Sequence, residues 1–355
     1  MKIALLGDTH VGARKDSIVF QEYFTKFYEE VFIPYLDKHE IKTVIQLGDF
    51  FDNRKSTSTR ALRWVKETLL KPLEDRGIAL YILVGNHDIF YKNTIKLNAL
   101  QENLGHYNWI ALVQEPTTFD FDGVKMDIIP WIAPENEEEI YKFVKKTKSK
   151  YCCGHFEFNG YVMHKGVVST HGANAKDFAK YDQVYSGHYH THSTDGHINY
   201  IGTPYEMNWS DCNDPKGFWI FDTETETSER IMNPYKMYHK ILYNDEENCV
   251  NINEFDYDYY KDSYIRVIIE KRNDIPHFEN FLEALNMNCS PHDLSITDIS
   301  VAYRDIDIEK IETEDPLTAL IATIENDETQ EKLDKKEVKA ITMDIYNRAM
   351  QVIND

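Results

Sequence analysis

The sequence predicts an α/β fold, on three observations. Short apolar, strand-like runs recur along the first two thirds of the chain. Several are followed at once by Gly and a polar or ionisable residue, and amphipathic helical stretches separate the early ones. The runs fall at residues 3–6, 43–47, 80–84, 126–129, 151–153, 184–185, 200–201 and 218–221. Between the first two, residues 17–40 carry Phe20, Phe24, Phe27, Val31 and Leu36 at helical spacing, and between the second and third, residues 56–75 carry Ala61, Leu62, Val65, Leu69 and Leu73 in the same way. Strand, loop and helix alternate to about residue 105, the pattern of parallel βα units, while the later runs follow closely and predict a second, more antiparallel sheet.

A length of 355 residues exceeds what a single core usually organises, about 250 to 300 residues, so an appendage is expected. A strand at 264–270, a short helix at 278–285 and a strand at 294–301 predict a small β-α-β unit. Residues 301–355 hold 14 acidic and 7 basic residues and read as two helices. Leu317, Leu320, Ile321 and Ile324 mark the first, and Val338, Ile341, Ile345, Ala349 and Ile353 form an i, i+3/i+4 stripe on the second. The boundaries fall at 1–238, 239–302 and 303–355.

A hydrophobic content of 42% without Pro/Gly-rich tracts indicates a folded chain. The formal charge of -21 opposes unaided binding of a polyanion, because Lys and Arg normally supply that affinity. Either the substrate is small, or metals, local basic patches and a partner protein supply the attraction. Of five cysteines none forms a CxxC pair, and the adjacent Cys152 and Cys153 read as reduced core residues facing opposite ways. No apolar run approaches about 18 residues and the start is too short for a signal peptide, so a cytoplasmic protein without membrane contact is expected.

Five motifs carry the chemistry. Gly7-Asp8-Thr9-His10 follows the first strand, where open α/β sheets place their ligands, and alternation puts Asp8 and His10 on one face. Gly48-Asp49-Phe50-Phe51-Asp52-Asn53 follows the second and offers a carboxylate able to bridge two cations. Gly85-Asn86-His87-Asp88 offers an amide oxygen beside an imidazole. Gly154-His155 and Gly187-His188-Tyr189-His190 add three more imidazoles. Any one of these alone is better explained by a turn with a solvated polar residue. Together, Asp8, His10, Asp49, Asn86, His155, His188 and His190 form a mixed oxygen and imidazole set that suits octahedral divalent ions such as manganese or iron. The absence of thiolates argues against a closed structural zinc site and for one that keeps water positions. Two such cations activate water and neutralise a phosphodiester under attack. His87 is then the candidate imidazole for transition-state stabilisation or leaving-group protonation, and Asp88 the candidate to hold its tautomer.

These motifs resemble those of the calcineurin-like metallophosphoesterases across residues 1–205. With Asp-Thr-His near the N-terminus and GDFFD in the second motif, the chain looks like the nuclease subunit of SbcCD-type double-strand-break repair complexes, of the phage recombination kind. The resemblance implies a four-layer α-β-β-α sandwich, a capping domain matching the β-α-β unit, and a C-terminal helical segment that docks on the coiled-coil base of an ABC-type ATPase. It implies Asp8, His10, Asp49 and His190 on one metal and Asp49, Asn86, His155 and His188 on the other. It also implies manganese-dependent nuclease action on DNA, with magnesium or iron as alternatives, a homodimer, and the host cytoplasm if phage-encoded. Some members carry a His at the place of Asp52, which puts more weight on His87 here. Asn53-Arg54 stands where phosphatases carry Arg-Gly. A phosphatase acting on small phosphoesters or phosphoproteins shares the metal site and is the alternative.

His164, His171, His192 and His197 lie near the motifs but not in Gly-His positions after a strand, and read as loop residues or as supports of the ligands, with His192 the nearest rival. Arg54, Lys55, Arg60 and Arg63 read equally as a backbone-binding rim or a solvated helix start. The acidic, Tyr-rich stretch 256–264 reads as a connector rather than a stacking platform.

Overall fold

The computed structural model describes residues 1–164 and 167–300; the helical segment expected at 303–355 lies outside the described residues. Strands β1 (Lys2–Leu6), β2 (Thr43–Gln46), β3 (Ala79–Leu83) and β4 (Ile110–Val113) run parallel in one sheet. A second sheet is built from β5 (Thr117–Phe121), β6 (Val124–Ile129), β7 (Tyr151–His155), β10 (Gln183–Gly187), β11 (Ser193–Thr194) and β12 (Ile198–Tyr200). Between β7 and β10 lies a short ribbon of β8 (Val162–His164) and β9 (Val167–Val168). The chain then returns to the first sheet through β13 (Gly217–Asp222) and β14 (Thr227–Met232), which pair antiparallel beyond β1.

Side-chain alternation along the inner strands serves three separate cores. Ala4, Leu6, Val44, Leu80 and Ile82 join the core under the helices of the first sheet, whereas Ile3, Leu5, Ile45 and Leu83 face the second sheet. There Tyr151, Cys153 and Tyr185 meet them, while Cys152 and Val184 point the other way into a third core with Ile140 and Val144 of the helix Glu137–Lys146. Period-two alternation with both faces buried is what two stacked sheets between helical layers require. The four-layer α-β-β-α sandwich is therefore present, and the adjacent cysteines face opposite ways as expected.

Three expectations need correction. The second sheet is mixed, with β6–β7, β7–β10 and β10–β12 all parallel and antiparallel pairs only at its edges. Long crossovers between those strands, one holding the helix Glu137–Lys146, allow the parallel order that their sequence closeness hides. The helix after β1 passes through a π-helical turn at Tyr28–Phe32, whose extra residue buries Phe32 and leaves Val31 half-exposed. The unit expected as β-α-β has three parallel strands, β15 (Tyr238–Asn244), β16 (Tyr264–Lys271) and β17 (Asp293–Asp298), the last ending short of residue 301. Ile241, Tyr243, Ile265, Val267 and Ile269 form its own core with Phe278, Phe281 and Leu285 of the helix Ile275–Cys289. Glu206 ties this unit to the sandwich by accepting from the Met237 and Tyr238 amides at 2.6 and 2.9 Å.

Candidate metal centre

The parallel strands β1, β2 and β3 of one sheet, and β7 and β10 of the other, bring five carboxyl ends to one edge of the sandwich, and the loops leaving them interlock. The Thr9 and His10 amides donate to the Asp49 carbonyl, the His188 amide to the Asp8 carboxylate at 3.0 Å, and the His87 amide to Asp49 Oδ1 at 2.7 Å. Two motif glycines are required by this crowding. A Cβ on Gly48, at φ 87°, would lie 2.6 Å from His155 Nδ1, and one on Gly187 would lie 2.5 Å from Asp8 Oδ1. His10, Asp49 and His188 adopt positive φ themselves, at 41°, 50° and 86°. Such conformations persist where surrounding contacts over-determine them, and they concentrate at functional sites.

Two groups of side chains result. Asp8, His10 and His190 form one, and Asp49, His155 and His188 the other, each group having its candidate ligand atoms within 4.8 Å of one another. Asn86 joins the second, its Oδ1 lying 2.9 Å from both His155 Nε2 and His188 Nδ1. The structure thus brings together all seven residues read from the five motifs.

Their electrostatics test whether a cation fits. Burial pushes the Asp8 carboxyl up to about 6, against the pull of His155. Burial also pushes Asp49 upward, yet His155 and His87 overcome it and hold Asp49 well below the usual carboxylate range. At His10 burial depresses the imidazole, but Asp52 and Asp49 outweigh it and hold the pKa near 9; at His155, Asp49 and Asp8 do the same. Burial, reinforced by His155, holds His188 well below its ordinary value, and burial beside His10 brings His190 down to about 3.

His155 Nδ1 meets the Leu47 carbonyl at 2.7 Å and must donate to it. In the neutral ring Nε2 then presents a lone pair to Asn86 Oδ1 and to Asp49 Oδ2, 3.3 Å away, so that position demands a second proton or a cation. His10 Nε2 and His190 Nε2 face each other at 3.1 Å, both 3.9 Å from Asp8 Oδ2. Converging oxygen and imidazole lone pairs around buried carboxylates are the donor set of a divalent ion of intermediate hardness, and the residues fit that group.

His87 stands beside these groups, its ring edge-on to His10 at 5.0 Å. Its Nδ1 meets the Asp52 carbonyl at 2.7 Å, which leaves Nε2 as the exchangeable atom. Burial lowers its pKa. The tautomer-holding role expected of Asp88 is corrected here. The Asp88 carboxylate turns inward and accepts from the amides of Gly85, Phe51 and Phe50 at 2.8, 3.0 and 3.3 Å, bracing the second motif, while a backbone carbonyl orients His87.

Residues outside the motifs also shape the site. Buried Gln46 bridges the Gly7 and Gly48 carbonyls, and buried Tyr205 donates to the Thr9 carbonyl at 2.6 Å. Asp52 Oδ1 lies 3.2 Å from His10 Nδ1. The rival histidines stay out of the two groups: His171 is exposed, His192 lies against Trp219, and His197 meets the Tyr181 carbonyl. The side chain of His164 lies outside the described residues.

The model of the calcineurin-like phosphoesterase family matches residues 1–192, a span that holds all seven residues and His87. Exonuclease subunit 1 of Enterobacteria phage T4 is 38% identical over 284 residues, which are 80% of this chain and 81% of that protein. A solved structure, that of a novel archaeal phosphodiesterase, is matched at 16% identity and a TM-score of 0.32, covering 66% of this chain and all of its own. The chain belongs to the calcineurin-like phosphoesterases and is a metal-dependent phosphodiesterase of that family.

Proposed function

We propose that the chain is the nuclease subunit of a complex that processes DNA ends in double-strand-break repair and recombination. The observation that carries this reading is the 38% identity to a phage exonuclease subunit, over an alignment longer than the 192-residue family domain. In this reading Asp8, His10, Asp49 and His190 hold one divalent ion, and Asp49, Asn86, His155 and His188 the other. Manganese is favoured over magnesium because four of the seven donors are imidazoles, with iron a further candidate. When bound, such a pair neutralises the attacked phosphate and makes water nucleophilic. Asp49 and Asp8 fix the positions by their buried charge, Asn86 supplies a neutral oxygen, and His87 Nε2 moves a proton at the leaving oxygen.

The acidic chain needs help to hold DNA, and an ABC-type ATPase docked on residues 303–355 would supply it, in a homodimeric assembly inside the host cell. Domain boundaries at 238 and 302 accompany this reading. No helix among the described residues is long and apolar enough to cross a membrane. The test is manganese-dependent release of nucleotides from linear DNA. Hydrolysis confined to phosphomonoesters would instead support the phosphatase reading. Removing residues after Glu325 should abolish co-purification with the ATPase and spare basal cleavage; retained binding would exclude the tail as the dock.

A further inference from the structure

A cavity of about 300 Å³ opens beside the metal centre, and His155 is both one of its walls and a member of the second side-chain group. Trp131 and Tyr141 give it aromatic walls, and Glu137 and Glu157 contribute carboxylates. The Trp131 ring lies 5.2 Å from that of His188 and 5.9 Å from that of His155, so this wall of the cavity adjoins the second side-chain group. We infer that this cavity takes the nucleobase of the nucleotide at the scissile phosphate.

The inference rests on the nuclease reading and gives it a base-binding subsite. Two carboxylates repel phosphate, so the uncharged base is the part of a nucleotide that can enter. Aromatic walls recognise any base by its π face, as stacking platforms for single strands do. Carboxylates are acceptors only, and every base offers them an N–H donor on its Watson–Crick edge: the amino groups of cytosine, adenine and guanine, and N3–H of thymine. The walls are held in place by backbone contacts. The Trp131 amide donates to the Val84 carbonyl at 2.7 Å, anchoring that wall to the end of β3. The Ala173 amide donates to the Glu157 carbonyl at 2.7 Å, and a Cβ on Gly172 would approach that oxygen to 2.1 Å.

Calorimetric binding of dCMP, dTMP and deoxyribose 5-phosphate to the full chain tests the inference without turnover. The two nucleotides should each bind about tenfold more tightly than the base-free sugar phosphate. Trp131→Ala should collapse that series to a single affinity. Steady-state cleavage of oligonucleotides with cytosine, thymine or an abasic residue at the scissile position should show the same ranking in KM. Equal affinities for dCMP and deoxyribose 5-phosphate in the unsubstituted protein, or a series that survives Trp131→Ala, would overturn the subsite. DNA cleaved with the same constants at an abasic residue as at a base removes the subsite alone. A protein that hydrolyses only phosphomonoesters removes the nuclease reading, and nucleotide binding then still decides the cavity.

Discussion

Lys216 Nζ donates to the backbone carbonyl of His190 at 2.9 Å, and the same ammonium meets Asp211 Oδ1 and Asp214 Oδ2, each at 2.7 Å. Lys216 is 3% exposed and both carboxylates are buried, so the charge balance is internal. The arrangement fixes the loop carrying His190 to the turn before β13. Lys216→Met would leave two buried carboxylates without a cation, at a cost of about 3 to 5 kcal/mol. Urea unfolding should show that loss, and manganese titration at a temperature where the variant is folded should show weaker binding. Unchanged metal affinity in the folded variant would mean that the triad supports the fold and not the site.

Chelation should silence the protein, and manganese should restore more activity than magnesium at equal concentration, because imidazole donors suit the softer ion. The same ion should stabilise the fold, by about 2.7 kcal/mol at a hundredfold excess over its dissociation constant. Thermal midpoints measured across a manganese series check this. Asp49→Asn should flatten the series, since it removes the carboxylate that His155 and His10 both face. A midpoint that climbs equally in the variant would remove Asp49 from the ligand set.

His239 on β15 is 6% exposed and packs against the rings of Tyr259 and Tyr260, each 4.9 Å away. Burial, with Lys236 nearby, holds its pKa down to about 4. A folded-state value below the unfolded one means that the folded chain binds fewer protons between pH 6.5 and 4. The associated stability is present above pH 6.5 and lost as pH falls through that window, in all about 3 kcal/mol. His239→Phe should keep the aromatic packing and lose the titration. The midpoint of the unsubstituted protein should therefore fall more steeply between pH 7 and 4.5, and parallel curves would refute the assignment.

The motif residues were legible because each follows a strand by one or two positions, so alternation alone predicts which side chains emerge together, as with Asp8 and His10. The layered fold was legible for a related reason: Cys152 and Cys153, adjacent and both apolar, require a strand buried on two faces. Lys216, Tyr205 and Gln46 gave no such signal. Each acts on a backbone carbonyl of a loop far away in sequence, and a hydrogen bond to a carbonyl imposes no residue type on its partner. The only trace was a Gln inside the otherwise apolar run TVIQL, a polar group that burial obliges to find partners. Asp88 misled for the opposite reason: adjacency to His87 suggested contact, but successive residues in a turn point apart, and its oxygens found three amides instead.

The division of labour in the site turns on His87. With Nδ1 committed to the Asp52 carbonyl, Nε2 is the atom available to a leaving oxygen, and burial favours the neutral ring until an anionic substrate arrives. The His87 backbone amide donates to Asp49 Oδ1, a bond that any residue except Pro retains. His87→Ala should therefore keep both metal positions while cleavage falls by roughly 10² to 10⁴, the usual contribution of a positioned acid or base. His87→Gln, which keeps a polar side chain without a transferable proton, should fall comparably. Metal content by elemental analysis and single-turnover cleavage of a short duplex separate the two effects. Full cleavage in both variants would exclude proton transfer by His87, and lost metal in both would make it a support of the ligand shell.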